Sequence, residues 1–231
     1  KGKRLSELMR IGGDRGVKRV APGGERIFGG PRGNRMHRRG GAIVPGVLYT
    51  DNGFWDTHRT VYALLSILYP EQLGGILDGW LSAYREGGWL PKWASPGYRD
   101  CMISTHIDVI FADACAKGIN GFDYATAYAA VKRNATDTQG VGLHGRVGLR
   151  DYLRLGYVPA DLYPKAAART LDFAYCDFAV GQMAQLLGYT EDAEMFLARA
   201  SNYRHVFDSS TGFMRGRNAD GHWQAPFDPL A

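Results

Sequence analysis

A chain of 231 residues with 45% hydrophobic and 22% charged residues has the length and composition of one large globular domain. No apolar run approaches the roughly 18 residues of a bilayer-spanning helix, so the sequence offers no membrane span. The net charge of +5 is local: residues 1–40 hold twelve Lys/Arg against three Asp/Glu, and removing that +9 leaves −4 over residues 41–231. The body is mildly acidic, and the basic leader could bind nucleic acid or an anionic membrane but lacks the aromatics and helical periodicity such a role would use, so no nucleic acid is expected as a partner.

Residues 1–40 form a basic, Gly-rich segment with Phe28 as its one aromatic and no helical periodicity beyond Leu5, Leu8 and Met9. The segment reads as poorly ordered or foreign to the domain that follows, which would occupy residues 41–231. It also lacks the apolar centre of about 7–15 residues that a secretory signal requires. Location is therefore left open.

Beyond it the pattern is helical. Residues 58–68 carry Val61, Leu64, Leu65 and Leu68 as a stripe ending at Tyr69-Pro70. A second helix is predicted over 71–86, closed by Gly87-Gly88. A third, over 105–117, is apolar almost all round and belongs in the interior. Then follow a helix over 123–133, a Gly-rich loop through Gly148, a short turn at 150–155, and one long helix or two over 162–187. The next helix, over 190–206, would be capped by Thr190 with acids in its first turn. Residues 212–229 read as a loop with strand-like pieces. Sparse strand signals and no βαβ alternation make the fold mainly α, built of helical hairpins packed side by side.

Cys101, Cys115 and Cys176 have no Cys-x-x-Cys spacing, so they read as buried free thiols rather than a metal or redox site. Asn134-Ala-Thr136 fits the glycosylation pattern, which recurs by chance.

The densest chemistry lies between Gly46 and Met102, in GVLYTDNGFWDTHRT and GGWLPKWASPGYRDCM. Large aromatic faces among carboxylates and guanidinium groups suit a polar ring: its C–H face lies on an indole while charged groups take its hydroxyls. Such chemistry points to a sugar. Asp56, beside Trp55, is the expected hydroxyl acceptor, against the alternative of a helix-start aspartate bonded to backbone amides. Arg59, three residues on, would orient Asp56 or touch sugar. Trp93 and Trp89 are stacking candidates or plugs between hairpins. Arg99 suits paired hydroxyls, or else a salt bridge to Asp100 or Asp108. His106 and Asp108, at i and i+2, do not share a helix face. His106 is a site candidate or a satisfied core residue. Arg215 and Arg217 lie in a loop that is solvated or reaches the site, and Asn218 and Asp220 there are too few oxygen ligands for calcium. The loops 52–59, 89–101, 140–146 and 213–228 would gather at one mouth if the hairpins form a ring.

Four blocks, GVLYTDNGFWDTHRT, GGWLPKWASPGYRDCM, THIDVIFADACAKGI and GFMRGRNADGHW-x3-FDP, resemble the family 92 glycoside hydrolases over roughly residues 45–231. The resemblance implies calcium-dependent, exo-acting α-mannosidases that invert the anomeric centre, on an (α/α)6 barrel behind a β-sandwich. This chain would supply about half of that barrel, and the sandwich is not seen. It also implies a general acid in a Glu-Gly-x-x-Trp-Gln block and a base in a Gly-Asn-Asp/Glu-Asp-like block, both expected beyond Ala231. No acid or base is therefore assigned, and the ligands of calcium are expected downstream as well. The substrate-facing candidates are Trp55, Asp56, Arg59, Trp93, Arg99 and His106, with a mannose-containing glycan as partner and a periplasmic, secreted or cell-surface setting. The alternatives are a non-catalytic carbohydrate-binding or interaction module, and another (α/α)6 hydrolase of trehalase-like or glucoamylase-like type.

Overall fold

A computed structural model describes residues 47–229 apart from 96 and 141, together with the backbone of strands β1 (Ile27–Phe28), β2 (Met36–Arg39) and β3 (Ala42–Pro45). These three strands form an antiparallel meander in which His37 faces Ile27 on one side and Val44 on the other. The expectation of poor order over residues 1–40 falls largely outside the described residues. What is described there is β1 and β2.

The described body is helical: α1 (Phe54–Thr57), α2 (Val61–Leu68), α3 (Pro70–Gly87), α4 (Ile107–Ala116), α5 (Tyr124–Thr136), α6 (Leu149–Leu155), α7 (Ala166–Leu186) and α8 (Thr190–Arg199), the last running into a 3-10 turn at Ala200–Val206. Local chemistry explains their ends. Pro70 occupies the first position of α3, where its missing N–H costs nothing, and Gly88 in the left-handed conformation closes it by donating to the Tyr84 carbonyl. The Asp123 side chain caps α5 by accepting from the Thr126 N–H. Thr190 does not cap α8. The cap position falls on Tyr189 with no side-chain bond, and Glu191 and Asp192 supply the first-turn acids.

Packing sorts these helices into two rows. α2 contacts α4 and α4 contacts α7, while α3 contacts α5 on the other side. Tyr128 of α5 extends the second row by stacking on Tyr189 at 4.5 Å and donating to Asp192 of α8 at 2.6 Å. Between the rows lies the core, with Phe54, Leu77, Leu81, Ile107, Phe111, Val131, Val180, Met183 and Phe196 wholly or almost wholly buried. Each such side chain contributes about 1.5–3 kcal/mol of transfer free energy. As its all-round apolarity predicts, α4 is deeply buried.

The far side of the first row is different. α2 leaves Leu64, Ile67 and Leu68 exposed, Ile67 by 72%, and α7 leaves Tyr175, Phe178 and Leu186 exposed. Strand content is small: β4 (Asn52–Gly53) pairs with β5 (Trp93–Ala94), and β6 (Phe207–Asp208) with β7 (Phe213–Met214). No described helix is long and apolar enough to cross a membrane. All three cysteines are free, but Cys101 is half-buried rather than buried. Asn134 is wholly buried on α5 and donates to Asp108, so the glycosylation pattern is closed off by the fold.

Candidate functional site

The first two sequence blocks, separated by the α2–α3 hairpin, meet as the β4–β5 ribbon. Gly53 pairs with Trp93, and the two approach so closely that a Cβ on Gly53 would sit 2.1 Å from the Trp93 ring. Ser95 donates to Asp51 across the same junction at 2.8 Å. Behind the ribbon, Asn52 and Trp80 both donate to the Tyr62 hydroxyl, at 3.0 and 2.9 Å. Phe54, wholly buried, sets its ring edge-on to Trp80 at 5.0 Å. A rigid base thus carries α1, a single turn that projects Trp55 and Asp56.

Asp56 is exposed, and among the described residues neither a hydrogen bond nor an ion pair occupies it. The capping alternative is not what forms, since the cap of α1 is Gly53 with no side-chain bond. Arg59 orients Trp55 rather than Asp56: its guanidinium lies 4.3 Å over the indole, and Nη2 donates to the Trp55 carbonyl at 3.1 Å. One indole face is therefore covered.

His106 is 2% exposed and lies beneath this corner. Its ring is edge-on to Trp55 at 6.5 Å and stacked on His58 at 4.5 Å, and its Nε2 is 3.5 Å from Asp172 of α7. Tyr175, one turn along α7, approaches both histidines. Such burial gives His106 a supporting position rather than a contact surface. His58, Asp172 and Tyr175 were missed by sequence reading. His58 stood inside the first block and could have been found by its spacing of four from Phe54, whereas nothing in the pattern of α7 distinguishes Asp172 and Tyr175.

The second block is less convergent. Trp93 is half-buried against Gly53. Arg99 folds back on its own turn, donating from Nε to the Ser95 carbonyl at 2.7 Å. It does not pair with Asp100, which is held by Lys92 at 3.0 Å, nor with Asp108. Trp89 is a plug: it is 6% exposed, with Arg133 stacked 4.4 Å above its ring and His144 at 4.6 Å. The 140–146 loop joins this edge through the Pro91–His144 bridge. The loop over 213–228 is anchored to residues 157–161, through the Arg217 and Asn218 carbonyls. Arg215 pairs with Asp208 there, and Arg217 lies over Tyr157 and Trp223.

Behind the corner lies a buried charge network that sequence reading did not anticipate. Arg146, fully buried, pairs with Asp108 of α4 at 3.2 Å and with Asp177 of α7. Thr105 accepts from Arg146 and donates to Asp108. Asp177 also binds Arg199 at 2.9 Å and accepts from Tyr152. Burial pushes the Asp108 carboxyl up to about 6, against the pull of Arg146 and its hydrogen bonds. Asp108 thus faces the interior and His106 the rim, on different sides of one helix.

Among the described residues no group of three or more His, Cys, Asp or Glu side chains is placed to hold a metal ion. The described residues do not fit calcium, and no step is derived through it. A cavity lined by Tyr49, Trp80, Ala94 and Tyr98 includes none of Trp55, Asp56 or His106.

Two rows of helical hairpins, with Trp55, Asp56 and Trp93 brought to one edge by the β4–β5 ribbon, make an α/α domain. The chain belongs to glycosyl hydrolase family 92: the profile of the family's catalytic domain matches residues 33–231. That match begins upstream of the four blocks.

It is similar to an inverting mannosidase of the family from Bacteroides thetaiotaomicron, with 37% identity and a TM-score of 0.81 over 88% of this chain and 28% of that one. A family α-mannosidase from the same organism matches with 31% identity and a TM-score of 0.75, over 85% of this chain and 27% of the other. The α-mannosidase has also been solved with mannoimidazole. A curated relative, an uncharacterized secreted glycosidase of Arthroderma benhamiae, is 29% identical over 158 residues, 60% of this chain and 19% of the relative. The fold is accordingly part of an (α/α)6 toroid, and the chain spans less than a third of the length of these proteins.

Proposed function

We propose that this chain carries the sugar-holding side of an exo-acting, inverting α-mannosidase site. The observation that carries the reading is Asp56: an exposed carboxylate whose oxygens no described residue bonds, beside an indole clamped by Arg59, on a turn fixed by the β4–β5 ribbon. The carboxylate accepts hydrogen bonds from the hydroxyls of a terminal mannose, which are charge-assisted and strengthen as the ring distorts. Trp55 offers the indole face that Arg59 leaves uncovered, and Trp93 closes the rim from the facing strand. The mannosidases among the similar structures support mannose as the sugar. The relative named as secreted supports a periplasmic, extracellular or cell-surface setting.

Inverting hydrolysis needs an acid and a base about 6.5–9.5 Å apart across the scissile bond. Neither motif block that would supply them occurs in this sequence, and the family's calcium would be held by residues other than those described here. The isolated chain is therefore expected to release no sugar from an aryl α-mannoside, with calcium or with chelator. Calcium-dependent release abolished by Asp56→Asn would reverse that assignment. In a full-length enzyme containing this domain, Asp56→Ala should lower kcat/KM by at least about tenfold, near 1.4 kcal/mol. An unchanged kcat/KM would remove Asp56 from the site.

A further inference from the structure

His58 has no role in the site as read so far, yet its contacts are specific. It is 8% exposed, at the end of α1. Its Nδ1 lies 3.0 Å from the carbonyl oxygen of Phe54 and 3.0 Å from that of Trp55. Two acceptors facing one ring nitrogen require that nitrogen to carry the hydrogen, so neutral His58 is the Nδ1–H tautomer. The ring is stacked on His106 at 4.5 Å with 29° between planes. Phe54 is immobile in the core, whereas Trp55 and Asp56 stand at the rim. A donor shared between the two carbonyls therefore ties the tip of the turn to its anchor.

We propose that His58 is a positioning residue of the sugar subsite: through Nδ1–H and its stack on His106 it fixes the Phe54–Trp55 backbone and so aims the indole and the Asp56 carboxylate into the mouth. The proposal rests on the reading of Trp55 and Asp56 as sugar contacts, and its test separates the two.

Protonation of His58 falls on Nε2, so it leaves the Nδ1–H donor in place and sets a positive charge against the stacked His106 ring. His58 faces His106 at the start of α4, Tyr175 and, past His106, Asp172 on α7, and Arg59 on its own segment. Burial first, then His106 and Arg59, holds its imidazole below the ordinary value of 6.5. The unfolded chain takes up this proton more readily than the folded one. The contribution of neutral His58 is thus present above the ordinary value and lost as pH falls through the lowered one.

The test is NMR of the chain, following the indole Nε1–H resonance of Trp55, assigned with Trp55→Phe. As pH falls from neutrality through and below the ordinary imidazole value, the wild-type resonance should move with the titration of His58. His58→Asn places a donor where Nδ1 stood but cannot titrate, so it should keep the neutral-pH position and lose the movement. His58→Phe keeps a ring without the donor and should displace the resonance at every pH. Should that variant not fold, His58→Gln, whose amide reaches the Nε2 rather than the Nδ1 position, makes the same comparison. Methyl α-D-mannoside is then titrated, with His58→Asn expected within about twofold of wild type and the donor-less variant at least about tenfold weaker. A Trp55 resonance that ignores both pH and loss of the donor overturns the proposal. Resonances that behave as expected, with no response to mannoside in any variant including wild type, support the clamp on Trp55 and refute the sugar reading.

Discussion

Gly53 holds the two halves of the rim together by having no side chain. Its backbone is ordinary extended strand, so an alanine would meet no conformational penalty there, but its Cβ would lie 2.1 Å from the Trp93 ring. Gly53→Ala must therefore displace Trp93 or part β4 from β5, at a cost of about 1–3 kcal/mol. The expected outcome is a lowered midpoint in urea together with a shifted Trp93 indole resonance. Unchanged values of both would show that the ribbon is looser than described. Trp55, Asp56 and Trp93 stood out in the sequence as candidates because aromatic and charged residues among Gly and Pro have few structural uses, and the β4–β5 ribbon brings their two segments together. For Arg59 and His106 the sequence pointed to the corner they occupy beside Trp55, but not to their contacts there. Whether a guanidinium turns toward a carboxylate or an indole depends on rotamers that spacing does not specify.

Helices were legible wherever an apolar stripe met a Pro or Gly, as in α3, and less so where side chains bond back to the chain. The helix predicted over 58–68 begins three residues later, because Thr57 and His58 bond back to the Gly53 and Phe54 carbonyls and end that turn before α2 starts. The Arg146 network was out of reach for a different reason: its members are separated by 38 and 31 residues from their aspartates, and Gly145-Arg146 reads as an exposed loop. In the fold this arginine is the tie between α4 and α7. Removing it leaves buried Asp108 without a cationic partner and Asp177 with Arg199 alone, and breaking a buried pair in this way costs about 3–5 kcal/mol. Arg146→Ala should accordingly lose most of its cooperative unfolding transition, followed by circular dichroism in urea. A loss under about 1 kcal/mol would mean that water reaches the network.

At the scale of the whole molecule, the first helix row exposes Leu64, Ile67 and Leu68 on α2 and Tyr175 and Phe178 on α7 to solvent. The folded chain should bind the dye ANS at neutral pH without denaturant, and Ile67→Lys should weaken that fluorescence while leaving the urea midpoint within about 0.5 kcal/mol of wild type. A folded chain that does not bind the dye would show this face to be covered in solution. The junction of Asp51 with Ser95, 44 residues apart in the chain, has a kinetic consequence as well. Hairpins such as α2–α3 close locally and early, but the rim exists only after a loop of that length has been shut, an entropic step that local helices shorten but do not remove. The rim should therefore be the last part of this region to form and the first to open. Hydrogen exchange would find amides near Asp51 and Ser95 unprotected while those of α3 and α4 are still closed, and a ligand bound there would slow the opening of a junction that the helices alone leave free to breathe.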